Sequence, residues 1–367
     1  MSSLNYLIRA IAFYLPQYHP IPENDEWWGK GFTEWTNVTK AKPLFKGHYQ
    51  PHLPADLGFY DLRLPEARQA QADLAREYGI HGFCYYHYWF NGKRLLERPF
   101  NEVLASGKPD FPFCLCWANE TWSRRWLGEE RAILLKQTYS DEDTVNHAQW
   151  LAKAFSDPRY IKISGRPLFI IYKPLDLPDA KKTIECLKLE CMKLGLPEPY
   201  IVGCNAHCAN VDCKTIGCDH TLDFQPQLGR LHNAFEDGKP RFSRFQQNLK
   251  LNIFSSTLKV YDSQCARQIM CPTSYQQNIS AYPTVFVSWD NTPRRGENAI
   301  ILQNSTPKEF EKKLSEVVDK LLERQDLDDK IVFINAWNEW AEGNHLEPDL
   351  LNGKAYLEAV RQIIIKN

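Results

Sequence analysis

One local pattern recurs along the chain, and it limits the fold more than any other feature. Short runs of large apolar residues, rich in β-branched side chains, stop abruptly in clusters of rings and polar groups. Ile331-Val332-Phe333-Ile334 leads directly into Asn335-Ala336-Trp337-Asn338-Glu339-Trp340-Ala341-Glu342. A run without polar alternation reads as a strand covered on both faces, as in parallel sheets packed between helices. Similar runs occur at Ile8 to Tyr14, His81 to Tyr86, Pro112 to Trp117, Pro167 to Tyr172, Tyr200 to Gly203, Thr221 to Phe224 and Thr284 to Val287. Apolar spacing and stop signals between them predict helices over Leu64 to Tyr78, Arg98 to Ala105, Asp141 to Phe155, Ala180 to Leu194, Pro307 to Glu323 and Ala355 to Ile365.

Seven or eight strands alternating with helices predict an α/β fold, a (β/α)8 TIM-like barrel with long loops on its active face. The rival, an open doubly wound sheet, would carry a glycine-rich phosphate turn. The chain contains neither G-x-G-x-x-G nor G-x-x-x-x-G-K-[ST]. Without an internal repeat or a linker, residues 1–367 read as a single catalytic barrel, with an insertion expected over 225–282, where the strand-helix rhythm weakens. Gln17 to Tyr60 shows no helical period, and a loop of that length is usually functional. Gln17, His19, Trp27, Trp28, Glu34, Trp35 and His52 are its candidate ligand contacts, with a lid packed on its own tryptophans as the alternative.

Charge excludes several partners. Lys plus Arg (44) nearly equals Asp plus Glu (45), so there is no electrostatic footprint for nucleic acid or an anionic membrane. No apolar stretch reaches membrane-span length and no signal peptide is visible, so a cytoplasmic protein is expected. The eleven cysteines form no regular framework and read mostly as reduced core residues. Cys204, Cys208, Cys213 and Cys218, interleaved with His207 and His220, raise the question of zinc. Their spacing lacks paired Cys-x-x-Cys units, so neither a metal nor another cofactor is expected.

Ionisable groups directly after a buried strand stand where parallel α/β folds place their chemistry. Glu339 and Glu342 are therefore the candidate catalytic pair. If the chain turns helical after Asn338, residues three apart share a face, and two close carboxylates separate into one acid and one base. Which is which stays open on these grounds. Aromatic residues make up 13% of the chain, many beside polar groups, as a glycan cleft requires, although core filling explains part of them. Candidate substrate contacts at the strand ends are Tyr14, Gln17, His19, Trp35, Tyr86, His87, Trp89, Trp117, Asn119, Glu120, Trp289, Asp290, Asn338 and Trp340. The expected partner is an oligosaccharide or polysaccharide.

Phe13-Tyr14-Leu15-Pro16-Gln17-Tyr18-His19-Pro20, the run from Trp27 to Trp35, His81 to Trp89, Trp117-Ala118-Asn119-Glu120 and Asn335 to Pro348 together resemble the WbsX-type glycosyltransferases of bacterial surface-polysaccharide clusters. That group is similar to glycoside hydrolase family 99, endo-acting mannan enzymes with a (β/α)8 barrel and an Asn-Glu-Trp-His-Glu-Gly signature. Asn338-Glu339-Trp340-Ala341-Glu342-Gly343 matches the signature except at Ala341. The resemblance implies that Glu342 is the general acid and base at the leaving oxygen. It implies that Glu339 deprotonates the sugar 2-hydroxyl, which attacks the anomeric carbon in a retaining reaction. Ala341 for histidine points to a different glycan. A sugar-nucleotide-dependent transferase, with Arg294 and Arg295 holding a diphosphate, is the alternative, and a non-catalytic glycan-binding barrel is a third reading.

Overall fold

The computed structural model describes residues 7–124, 129–206, 210–231, 258–270, 281–327 and 329–365. The apolar runs become strands β1 (Arg9–Tyr14), β2 (Ile80–Phe90), β3 (Phe113–Trp117), β4 (Arg166–Ile171), β5 (Tyr200–Cys204), β6 (His220–Asp223), β7 (Ala281–Phe286) and β8 (Ile331–Asn335). Each pairs in parallel with its neighbour in chain order, and β8 pairs with β1, with Ile11 opposite Phe333 and Ala12 opposite Ile334. The sheet therefore closes into an eight-stranded barrel. Phe13 fills the interior against Tyr86, Phe224 and Phe333, with ring centroids 5.2–5.8 Å apart. Because one face meets the interior and the other meets helices, Ile331 through Ile334 are all fully buried. That coverage, worth about 1.5–3 kcal/mol per large side chain, is why the runs lack polar alternation.

The helices are α1 (Pro22–Trp28), α2 (Glu34–Lys40), α3 (Pro65–Glu77), α4 (Arg98–Ser106), α5 (Asp141–Phe155), α6 (Ala180–Lys193), α7 (Ser263–Met270), α8 (Thr292–Arg295), α9 (Pro307–Glu323) and α10 (Ala355–Ile364). Capping sets several starts: Ser140, Asp179 and Thr306 accept from the amides of Asp143, Lys182 and Glu309. Gly82 lets β2 approach β3, since a Cβ there would lie 2.6 Å from the Pro112 carbonyl oxygen.

Three local expectations change. β2 runs on to Phe90 instead of ending at Tyr86, so His87, Tyr88 and Trp89 belong to a strand. The segment after β1 holds α1 and α2, each only seven residues long and too short to show a period. Within 225–282, the described residues form α7 and a strand, Lys259–Asp262, paired with Ile300–Gln303 outside the barrel. Residues 281–282 already belong to β7. Residues 232–257 and 271–280 lie outside the described residues. Among the described residues, no helix is long and apolar enough to cross a membrane.

Candidate active site

A cleft of about 410 Å³ opens at the C-terminal ends of the barrel strands, where the loops of such a fold meet. Gln17 enters from the loop after β1, Tyr86 and Tyr88 from β2, Glu120 and Trp122 from beyond β3, and Tyr172 from beyond β4. Phe224, Trp289, Arg294, Arg295, Asn335, Glu339 and Glu342 complete the opposite wall. Rings and hydrogen-bonding groups thus share one concave surface of the size small ligands occupy.

At its base three carboxylates meet one guanidinium. Arg294, in the short α8, places Nε 2.8 Å from Glu34 Oε1, Nη2 2.9 Å from Glu339 Oε2 and Nη1 2.7 Å from Glu342 Oε1. The Glu34 side chain is fully buried, Arg294 and Glu339 nearly so, and Glu342 is 21% exposed. Three ionised carboxylates against one cation would leave two uncompensated negative charges in a dry site, so protons are retained. Burial pushes the Glu339 carboxyl up to about 8; Arg294 pulls it down, and Glu342 and Glu34 push it further up. Glu342 is raised as well, by burial first, with Arg294 opposing and Glu34 reinforcing. Both carboxyls of the pair are thereby pushed toward keeping a proton at neutral pH.

The chain does not turn α-helical after Asn338. Asn338–Glu339 pairs antiparallel with Asn344–His345, and Trp340–Glu342 forms one 3-10 turn. Residues three apart eclipse in a 3-10 turn, so Glu339 and Glu342 still reach the same guanidinium. Gly343 ends the turn in the left-handed region (φ 59°), and a Cβ there would lie 3.1 Å from Asp290. The Asp290 amide donates to the Glu342 carbonyl (2.7 Å), while its carboxylate accepts from Gln50 and pairs with His48 at 2.7 Å.

The turn is anchored to the start of the barrel. Asn338 Oδ1 accepts from the Leu15 amide (2.7 Å), and its Nδ2 donates to the Leu15 carbonyl (3.0 Å). The Tyr18 hydroxyl donates to the Asn338 carbonyl. Trp340 stacks on His345, with centroids 3.7 Å apart, and donates Nε1 to Glu347.

Of the residues singled out from sequence, Gln17, Trp28, Tyr86, Glu120, Trp289, Arg294, Arg295, Glu339 and Glu342 line the cleft. The other candidate substrate contacts do not, and their placement corrects the expectation. Because β2 continues, alternate residues point to opposite faces: Tyr86 and Tyr88 face inward, His87 and Trp89 outward. His87 meets His147 of α5 at 3.0 Å, and Trp89 donates to Asp143 of the same helix. Tyr14 donates to Gln71 of α3, and Trp117 to the Trp89 carbonyl. His19 is buried in the first loop, and Trp35 packs among Tyr18, Tyr60 and Trp340. Asn119 bonds the Lys173 backbone, and Asp290, Asn338 and Trp340 brace the turn that carries Glu339 and Glu342. Tyr88, Tyr172, Trp122 and Asn335 were missed as cleft residues. Tyr88 was legible from the period of two, since Tyr86 was already placed in the site.

Cys84, Cys114, Cys116, Cys204, Cys213 and Cys218 are buried free thiols. Among the described residues, the metal-type donors that converge in a group of three are His52, His345 and Asp349, and Cys204, Cys213, Cys218 and His220 form no such group. His207 and Cys208 lie outside the described residues.

The described residues thus form a closed (β/α)8 barrel with a buried carboxylate pair in a ring-lined cleft. The chain belongs to the WbsX glycosyltransferase family, whose model, described as glycosyltransferase WbsX, matches residues 10–360. Two proteins named uncharacterized protein WxcX, from two strains of Xanthomonas campestris pv. campestris, are 41% and 40% identical to it over 97% of its length. The chain spans about half of those relatives, 49% of each. Among solved structures, the family 99 endo-alpha-mannosidase of Bacteroides thetaiotaomicron superposes with a TM-score of 0.55 at 13% identity, covering 98% of this chain and 97% of that one. A glycoside hydrolase-like protein gives 0.54 at 13% identity, covering 99% and 96%. At that identity the likeness concerns the fold.

Proposed function

We propose that this chain cleaves or transfers a glycosidic bond in a bacterial surface polysaccharide, with retention of configuration, using Glu339, Glu342 and the sugar's own 2-hydroxyl. The observation that carries the reading is the pair of buried carboxylates on one guanidinium, holding a proton at neutral pH, at the base of a ring-lined cleft. Glu342 is the more exposed of the two, which suits the group that meets the leaving oxygen. It gives its proton to that oxygen while Glu339 takes the proton of the 2-hydroxyl. The 2-oxygen then attacks the anomeric carbon, and the glycosidic bond breaks. In the second half Glu342 deprotonates water or an acceptor hydroxyl, which opens the three-membered ring at the anomeric carbon, and Glu339 returns its proton to the 2-oxygen. Two inversions give net retention, and the incoming nucleophile decides between hydrolysis and transfer.

Burial raises both carboxyls, Glu339 to about 8 and Glu342 in the same direction, so the pair shares a proton at neutral pH, and the cycle draws that proton from Glu342. Tyr86 and Tyr88, kept neutral by burial, are hydrogen-bond donors on the same wall. The tryptophans Trp122 and Trp289 offer faces for pyranose rings.

The test is incubation with a panel of O-antigen and capsular polysaccharides, with products read by mass spectrometry and anomeric NMR. Retained-configuration fragments or transfer products, absent with Glu342→Gln, support the reading. The family description favours a second one, a sugar-nucleotide-dependent transferase. For that reaction both Arg294 and Arg295 line the cleft wall, and Arg294 is bound by three carboxylates. Calorimetric binding of a sugar nucleotide, with nucleotide release that survives Glu342→Gln and Glu339→Gln, would replace the first reading with the second.

A further inference from the structure

We infer that His52, His345 and Asp349 form a binding site for a divalent transition metal of the zinc class, which clamps the first loop of the barrel to the catalytic turn. His52 lies in the segment between α2 and α3, His345 in the two-residue strand that pairs with Asn338–Glu339, and Asp349 four residues later. His345 and Asp349 are 2% exposed and His52 is half-buried. His52 Nδ1 and His345 Nε2 are 3.0 Å apart, Asp349 Oδ2 lies 3.8 Å from the same Nε2, and the three donor atoms fall within 4.8 Å of one another. Nitrogen and oxygen ligands about 2.0–2.2 Å from a tetrahedral zinc stand roughly 3.3–3.5 Å from each other. The observed spacings bracket that value, so small side-chain rotations suffice to seat an ion.

The surroundings orient the donors. His345 Nδ1 lies 2.9 Å from the Glu347 carbonyl oxygen, which only accepts, so Nδ1 carries the hydrogen and the Nε2 lone pair points at the cluster. A ligating histidine held by a backbone carbonyl through its other nitrogen is the usual arrangement around metals. The amides of Leu351 and Asn352 donate to Asp349 Oδ1 at 2.8 and 2.6 Å, and Oδ2, which accepts from Asn352 Nδ2 at 3.1 Å, keeps its second lone pair on the side of the histidines. Without an ion, His52 Nδ1–H donates to His345 Nε2. With one, that hydrogen sits on His52 Nε2 instead, and no proton need leave.

The site is separate from the cleft, since none of the three residues lines it. It acts on positioning. His345 stacks on Trp340, one of the two residues between the carboxylates, with an interplanar angle of 13°. Holding His345 and the first loop on one ion fixes that ring, and with it the turn that presents Glu339 and Glu342.

Chelator-treated full-length protein, titrated with zinc by calorimetry and with cobalt by visible absorption, tests the inference. The expected result is uptake of one equivalent, d–d bands of a nitrogen- and oxygen-ligated cobalt, and a melting temperature that rises with metal. His52→Ala, a change at a half-buried loop residue, should weaken uptake by at least about tenfold and abolish the thermal shift, with the metal-free melt little changed. Asp349→Asn should act in the same direction. Failure of the wild type to take up a first equivalent at micromolar zinc overturns the inference. So does uptake unaffected by His52→Ala, or an intense thiolate charge-transfer band that assigns the ion to cysteines.

Discussion

Arg294→Met tests the electrostatic account of the site without needing a substrate. The side chain makes three ion pairs of 2.7–2.9 Å and is 9% exposed. Removing one partner of a buried ion pair typically costs about 3–5 kcal/mol, because the abandoned charge has no water to replace it. Here three carboxylates share the loss, and the three pair energies do not add. The relief available to the variant is protonation. Arg294 lowers the proton affinity of both Glu339 and Glu342, so its loss raises them further. A carboxyl raised in the folded state above the unfolded value of about 4.3 makes folding take up protons. Its neutral form is tolerated at low pH, and stability is lost as pH rises through the folded value. The deficit of the variant relative to wild type should therefore be small near pH 5 and approach about 3–5 kcal/mol above pH 8. Urea denaturation of both proteins across that range reads it directly. A deficit independent of pH, or one that grows on acidification, would refute the shared-cation account.

Four further outcomes follow from the same geometry. Glu342→Gln and Glu339→Gln should each reduce turnover by about 10²–10⁴-fold, yet melt no lower than wild type, because two carboxyl groups remain on Arg294 and the amide keeps the shape. With a substrate in hand, kcat/KM should fall on the alkaline side near pH 8, where Glu339 gives up the proton the pair needs; a flat profile to pH 10 would count against the pairing. Asn338→Ala leaves the Leu15 amide and carbonyl without their side-chain partner in a buried place and should cost about 2–4 kcal/mol in chemical denaturation. Gly343→Ala, at φ 59° and with 3.1 Å to Asp290, should cost at least about 1 kcal/mol and shift the Glu342 carbonyl, measurable as lower stability with a larger loss of turnover.

The barrel was legible because its strands are buried on both faces. Ile331–Ile334 and Phe113–Trp117 are buried throughout, and seven or eight such runs with helices between them and no glycine-rich phosphate turn favour a closed barrel over an open sheet. The acid pair was legible because it follows the last run within eight residues of Ile334. What each ring faces was not. Composition marks Tyr86 through Phe90 as aromatic, but only the length of β2 decides that Tyr88 looks inward and Trp89 toward α5. The same limit hid the role of Arg294. Read alone it suited a diphosphate, and Glu34 read as a ligand contact; their pairing crosses 260 residues and leaves no local trace. The first loop concealed its helices for a thermodynamic reason, since seven residues cannot hold a helix without the packing that tertiary structure provides.

The amide of Asn338 that grips Leu15 spans 323 residues. Until Ile331–Asn335 slides in beside Arg9–Tyr14, a growing polypeptide has two unpaired sheet edges, a template for association with other chains. The same docking event seals both edges and delivers Glu339 and Glu342 to Arg294 and Glu34. The carboxylate pair is thereby tied to barrel closure: before the last strand docks, Arg294 and Glu34 stand without Glu339 and Glu342, which join them only as the sheet edges are sealed.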